Sequence, residues 1–205
     1  MALKYLKKLL VFSAAVTFLV SGCSSAKDAV NSVSEESGKP TMKITMQQAA
    51  DRADSMLDAT LSAIKPEVQW THGATTTGSC DVSRRRVVMT IFSKERLGGL
   101  LGLVRRFWEN SGYRIKSVDK DEKFPAIYAQ STDGFGIALT VGAERQAFFE
   151  VATPCAKPSD VTDPTTPPNG PDYDHPIPHP NVRSAFWSVN SPLPSASPTT
   201  SASEQ

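Results

Sequence analysis

Three cysteines divide this chain, and the position of the first, Cys23, decides what the other two can do. Cys23 ends a segment in three parts: a basic start (Lys4, Lys7, Lys8), an apolar run from Leu9 to Val20, and the small residues Ser21 and Gly22. A secretory signal has this order. The apolar run fits the ~7–15 residues of such a signal and falls short of the ~20 needed to span a bilayer. Everything beyond it is expected on the oxidising side of a membrane, where cysteines pair and disulfides persist.

The tetrapeptide Val20-Ser21-Gly22-Cys23 resembles the lipobox of bacterial lipoproteins. The resemblance implies a diacylglyceryl thioether on Cys23, carrying fatty acyl chains of the palmitate type, with removal of residues 1–22 and Cys23 as the mature N-terminus. The physics of anchoring agrees. Each buried methylene contributes about 0.8 kcal/mol, so one chain holds a protein marginally and two hold it stably. The expected location is the extracytoplasmic face of a cell membrane. With Cys23 occupied by lipid, Cys80 and Cys155 remain and are expected to form a disulfide. It would close a loop of about 75 residues, for which chain entropy predicts roughly 4 kcal/mol. No Cys-x-x-Cys occurs, so neither a redox motif nor a cysteine zinc knuckle is expected.

Charge narrows the partners. The formal net charge of +1 comes from 22 basic and 21 acidic residues, and three of the lysines lie within residues 1–22, where there is no acid. The mature chain would thus be slightly acidic, with no field to attract nucleic acid. The anticipated partners are the membrane, through the lipid on Cys23, and an envelope protein or polymer.

Four segments follow from composition: a signal peptide at 1–22, a polar tether at 23–40, a folded domain at 41–158 and a Pro/Ser/Thr-rich tail at 159–205. Treated as flexible coil, the tether spans about 20–25 Å. In the domain, Thr45 and Gln48 form a capping-box pattern ahead of Met46, Ala49, Ala50, Ala53, Met56, Leu57, Leu61 and Ile64, which recur at helical spacing. Pro66 ends that helix. Asp51, Asp54 and Asp58 form an acidic stripe, expected to face solvent. A buried strand is predicted at Arg84–Phe92. A second helix, capped by Ser93, presents Leu97, Leu100, Leu101, Val104, Phe107 and Trp108. Gly98, Gly99 and Gly102 each cost that helix about 1 kcal/mol relative to alanine; close packing against a sheet is the expected reason. Four strands then form a meander: Tyr113–Val118, Ala126–Ser131, Phe135–Val141 and Gln146–Thr153, with turn signals at Asp133-Gly134 and Gly142. This order predicts an α+β fold of two layers, an antiparallel sheet covered on one face by two helices. Eleven of the fifteen prolines lie from Pro158 onward, and the tail is expected to be disordered, with Ala185-Phe186-Trp187 its one apolar spot.

The residues Trp70, Gly78-Ser79-Cys80, Trp108, Gly112-Tyr113, Asp133-Gly134-Phe135 and Thr153-Pro154-Cys155, together with the lipobox, resemble a family of small secreted actinobacterial lipoproteins without assigned activity. The resemblance covers the signal and about Trp70 to Cys155. It implies envelope location, the lipid and the disulfide, and no reaction.

Catalytic chemistry finds little support. His72, Ser79 and Asp81 supply the types of a hydrolase triad, but Gly-x-Ser-x-Gly is absent. Glu67, Asp81, Asp133 and Glu150 are candidate carboxylates for wall cleavage by type alone. His-Glu-x-x-His is absent. Asp172, Tyr173, Asp174, His175 and His179 bring metal-ligand types close together, but prolines hold that stretch extended. No metal and no cofactor are expected. Arg84-Arg85-Arg86 is the densest basic run and a candidate anion-binding site for envelope polymers, since guanidinium suits phosphate; strand alternation would send neighbouring arginines to opposite faces.

The function expected from the sequence is a non-enzymatic envelope binding or accessory module. A carrier of small apolar ligands, held between sheet and helices, is the second reading, and a wall hydrolase the third. Cys23→Ser is expected to leave an unprocessed precursor or release the protein, as read by metabolic labelling with an alkyne fatty acid and by fractionation; a membrane-bound, processed, lipid-free mutant would contradict the anchor.

Overall fold

The computed structural model describes residues 43–171, 173 and 176–190, so Cys23, the signal and the tether lie outside the described residues. Helix α1 (Met46–Ser62) begins where its sequence says it should. Thr45 accepts from the Gln48 backbone N–H at 3.3 Å, and the Gln48 side chain accepts from the Thr45 N–H at 3.0 Å. This reciprocal box satisfies two of the donors that a helix start leaves unpaired. Helix α2 (Lys94–Asn110) is capped by Ser93 and ends at Gly112, whose φ of +79° is left-handed and accessible to glycine at little cost.

The strands are β1 (Trp70–His72), β2 (Thr76–Thr77), β3 (Val82–Val88), β4 (Arg114–Asp119), β5 (Ala126–Gln130), β6 (Gly136–Val141) and β7 (Ala147–Ala152). They form one antiparallel sheet in the order β1-β3-β7-β6-β5-β4, with β2 also paired to β3. The meander β4-β5-β6-β7 places β7 beside β3. Both helices cover one face, α1 over β3 and β7, α2 over β4 and β5. The expected two-layer α+β architecture is therefore present.

Alternation along the strands explains which face is covered. Ile137, Leu139 and Val141 of β6, Phe149 and Val151 of β7, and Ile127 and Ala129 of β5 are buried beneath the helices. Tyr128 of β5 points the other way and is 43% exposed. From the helices come Ala49, Ala50, Ala53, Met56, Leu57, Leu100, Val104 and Trp108. The fully buried Trp108 indole donates to Thr60 Oγ1 at 3.1 Å, so its N–H is not left without a partner. Cys80 and Cys155 are bonded, as expected, joining the approach to β3 with the segment that leaves β7.

The tail departs from expectation. The described residues of 159–190 contain no helix or strand, yet they lie as a strap on the domain. Thr162 N–H donates to Gln47, and Gly170 N–H donates to the Trp70 carbonyl at 3.2 Å. The Asn169 side chain accepts from the Trp70 N–H and donates to Val68 O, covering the free edge of β1. Val182 pairs with Met89 and Ile91, in a parallel bridge beside Thr90. Trp187 is 2% exposed, packs edge-on against Phe92 with ring centres 5.6 Å apart, and donates to Pro66 O at 2.7 Å.

The expectation of disorder is therefore corrected for the described residues of 159–190, and residues 191–205 lie outside the described residues. Composition counts what a segment can bury by itself. This strap instead meets backbone groups and an aromatic pocket that the domain leaves open, and prolines reduce the entropy it loses in doing so. Trp187→Ala should lower the unfolding free energy by about 3–5 kcal/mol, as expected for a buried aromatic. Denaturant unfolding of the full chain checks this; a change within about 0.5 kcal/mol would mean the strap does not hold.

Candidate functional site

Two features on the helix-covered side combine unusual chemistry or space. The first is a buried charge cluster. Arg84 and Arg86 are two residues apart on β3 and so share a face, which is the one beneath α1. Asp54 and Asp58 are one helical turn apart on α1. Arg86 Nη2 donates to Asp54 Oδ1 at 2.9 Å and lies 3.4 Å from Asp58 Oδ1. Arg84 Nε stands 3.2 Å from Asp54 Oδ2, though not aligned for a hydrogen bond. Arg84 donates to Thr75 Oγ1 and to the strap carbonyl of Thr162. Thr166 of the strap donates to Asp58 Oδ2 at 2.6 Å. Arg86 also stacks over Trp70, 4.9 Å from the ring centre.

The candidate anion site therefore does not assemble. Arg84 and Arg86 are buried against acidic side chains, while Arg85 points to the open sheet face. There it pairs with Glu150, directly opposite on β7. Nor is the acidic stripe wholly solvated: Asp51 is exposed, but Asp54 is buried. The signal for this cluster was present as two arginines at strand spacing and two acids at helix spacing. What the sequence lacked was the pairing of α1 with β3.

His72 adjoins this cluster. Its Nε2 donates to the Thr166 carbonyl at 2.8 Å, while Nδ1 is buried without a partner. Desolvation, and secondly the charge of Arg86, push its pKa below the ordinary 6.5. No hydrogen bond joins the imidazole to Ser79 or Asp81 among the described residues. The other candidate carboxylates are dispersed. Glu67 accepts from Asn169, Asp133 meets Arg52 and Ser131, and Glu150 holds Arg85. No cluster of metal-ligand side chains occurs among the described residues, and Asp172, Asp174 and His175 lie outside them.

The second feature is a groove between α2 and the β4–β5 hairpin, with a volume of about 410 Å³. Leu97, Leu101, Val118, Pro125 and Ile127 make its apolar walls. Gly98 and Gly102 form the part contributed by the helix backbone. Packing against the sheet does not account for these glycines. A Cβ at Gly98 or Gly99 would meet nothing within 4 Å, and one at Gly102 would meet only the tip of Arg106 at 3.3 Å. Gly98 and Gly102 leave open space, and that space is the groove; nothing in the structure explains Gly99. Lys94, Arg105, Lys120 and Arg145, with Asp119, Asp121 and Glu122, stand around the apolar walls. The Phe124 and then the Lys123 backbone N–H hold the Asp121 carboxyl below its ordinary range.

No family model and no curated protein matches the chain. Among solved structures it is similar to a DUF4853 family protein from Actinomyces odontolyticus ATCC 17982, with 14% identity over 63% of this chain and 76% of that one and a TM-score of 0.31. Among the described residues, no helix is long and apolar enough to cross a membrane.

Asp54→Asn should cost about 3–5 kcal/mol, because it leaves two buried guanidinium groups short of their shared counter-charge. Asp51→Asn, one turn away on the same helix but exposed, should change stability by less than about 0.5 kcal/mol. Parallel urea titrations of the two variants test the assignment.

Proposed function

We propose that this chain is a lipid-anchored protein of the extracytoplasmic membrane face, related to the actinobacterial lipoproteins it resembles, and that its domain is a non-enzymatic binding module. The groove beside α2 is its binding site, and its ligand is a small molecule with a substantial apolar part. The lipobox motif supports the anchor and the location. The carrying observation for the ligand is that Gly98 in a helix faces open space, and Gly102 one turn on meets only the tip of Arg106, beside walls of leucine, isoleucine, valine and proline.

Three physical arguments support this reading. A volume of about 410 Å³ lies within the ~300–1,000 Å³ range of small-molecule sites, whose walls are mostly apolar with a few polar groups. Glycine inside a helix costs about 1 kcal/mol relative to alanine, and here no contact with the sheet offsets that cost. The groove lies at the side of the domain, flanked by edge strand β4, so a ligand can enter without unfolding the core. The hydrolase reading has less behind it, since His72 is committed to Thr166 and to the surroundings of Arg86.

Filling the notch separates binding from folding. The double substitution Gly98→Leu and Gly102→Leu places side chains in the groove while removing two helix-weakening glycines, so the melting temperature should hold or rise. Nile red, a neutral apolar dye, should lose at least about tenfold in affinity, equivalent to about 1.4 kcal/mol. Dye binding unchanged in a stable double variant would remove the groove from the function.

A further inference from the structure

We propose that the groove takes an anionic single-chain amphiphile, with its acidic head at the N-terminal end of α2 beside Arg145 and its alkyl chain running past Gly98 and Gly102. This inference rests on the groove being the binding site. It adds the ligand's charge, its orientation and the residue that recognises it.

Arg145 is fixed at one end of the groove. Its Nε donates to the Phe92 carbonyl at 2.8 Å, and Phe92 immediately precedes Ser93, the cap of α2. The guanidinium is half-buried there, and no carboxylate lies within 4.0 Å of it among the described residues. The backbone that holds it is itself unusual. Glu144 and Arg145 have φ of +52° and +56°, so two consecutive non-glycine residues occupy the left-handed region. Such conformations cost on the order of 1–3 kcal/mol each and gather at binding sites. Here they form the turn from β6 to β7 and bring Arg145 to the groove.

The remaining charges are consistent with an anion at this end. Lys94, Arg105, Lys120 and Arg145 border the groove, against Asp119, Asp121 and Glu122. The three acids already have partners: Asp119 accepts from the Asp121 N–H, Asp121 from the Lys123 and Phe124 N–H groups, and Glu122 lies 3.7 Å from Lys94. Arg105, at the other end, is paired with Glu109 at 2.9 Å. Arg145 and Lys120 are left without an ion pair among the described residues. The positive end of the α2 dipole adds to the preference for negative charge there. A guanidinium binds carboxylate and phosphate through paired N–H donors. Fatty acids and lysophospholipids share this chemistry, and the test below separates them.

The experiment is calorimetric titration of the full chain with four ten-carbon amphiphiles, each below its micelle concentration: decanoate, decyl phosphate, decanol and decyltrimethylammonium. At least one acid should bind about tenfold tighter than decanol, and decyltrimethylammonium weakest; raising the salt to 0.5 M should narrow the gap. Preference for decanoate assigns a fatty acid, and preference for decyl phosphate assigns a phosphate head. Arg145→Gln should bring the acids down to the affinity of decanol and leave decanol unchanged. Should that variant fail to fold, the wild-type head-group series decides alone. Equal binding of all four, abolished by the Gly98→Leu and Gly102→Leu pair, overturns the anionic ligand and leaves the groove as an apolar site. Failure of all four to bind overturns both readings.

Discussion

The ion cluster of Arg84, Arg86, Asp54 and Asp58 is the constraint on which the rest of the domain depends, because it ties α1, β3 and the strap at one point. Removing Arg84, Arg86 and Asp54 from water is expensive, and mutual attraction, with the part-exposed Asp58 beside them, recovers much of that cost only when the geometry is good. Here two arginines at strand spacing face two carboxylates at helix spacing, and they meet in only one register of helix on strand. Val82 and Val88 flank the arginines on the same face and would tolerate a small slide of α1; the charges would not. The cluster therefore contributes more to the precise placement of α1 than an apolar pair would. Its formal charges cancel, and beside it burial, more than any one charge, lowers the His72 pKa.

The strap follows from this. Thr162 and Thr166 cap polar groups that α1 and β3 leave unsatisfied, much as a buried water would, and Asn169 does the same for the edge of β1. The strap's ordering depends on polar groups it does not itself contain. Trp187 adds the apolar anchor at its far end, so the segment is pinned at both ends with prolines between.

This explains what could be read from the sequence. The local elements were legible because their signals are local: the Thr45–Gln48 box, the Ser93 cap, the alternation in β6 and the glycines at 112 and 134 each depend on a few adjacent residues. The disulfide was legible from cysteine number, taken with the location expected from the N-terminal segment. The ion cluster was not, because Asp54 and Arg86 are far apart in the chain and become partners only through the placement of α1 on the sheet. The strap was missed for the same reason. The cost of the groove glycines is legible in the sequence, but they border open space instead of the close packing expected of them. A glycine that serves close packing and one that serves open space look identical in sequence, and only the neighbours of the absent Cβ separate them.

The two helices differ in a way that assigns them different tasks. Helix α1 buries alanines at 49, 50 and 53, which let it lie close to β3 and β7, and it carries Asp54 and Asp58 of the ion cluster along its length; it is locked on its buried face. Helix α2 is held by Leu97, Leu100, Val104 and Trp108, but its flank toward the β4–β5 hairpin carries glycine where side chains would otherwise close the gap. Edge strand β4 opposite is largely exposed and carries an irregularity between Ile115 and Ser117. Bulges of this kind bend an edge and discourage further strand pairing. An edge protected from other strands, facing a helix notched by glycine, leaves an opening suited to a small molecule more than to an added strand. The rigid half of the domain fixes the sheet, and the sheet in turn positions Arg145 at the end of that opening, so the stability of one side supports the space kept on the other.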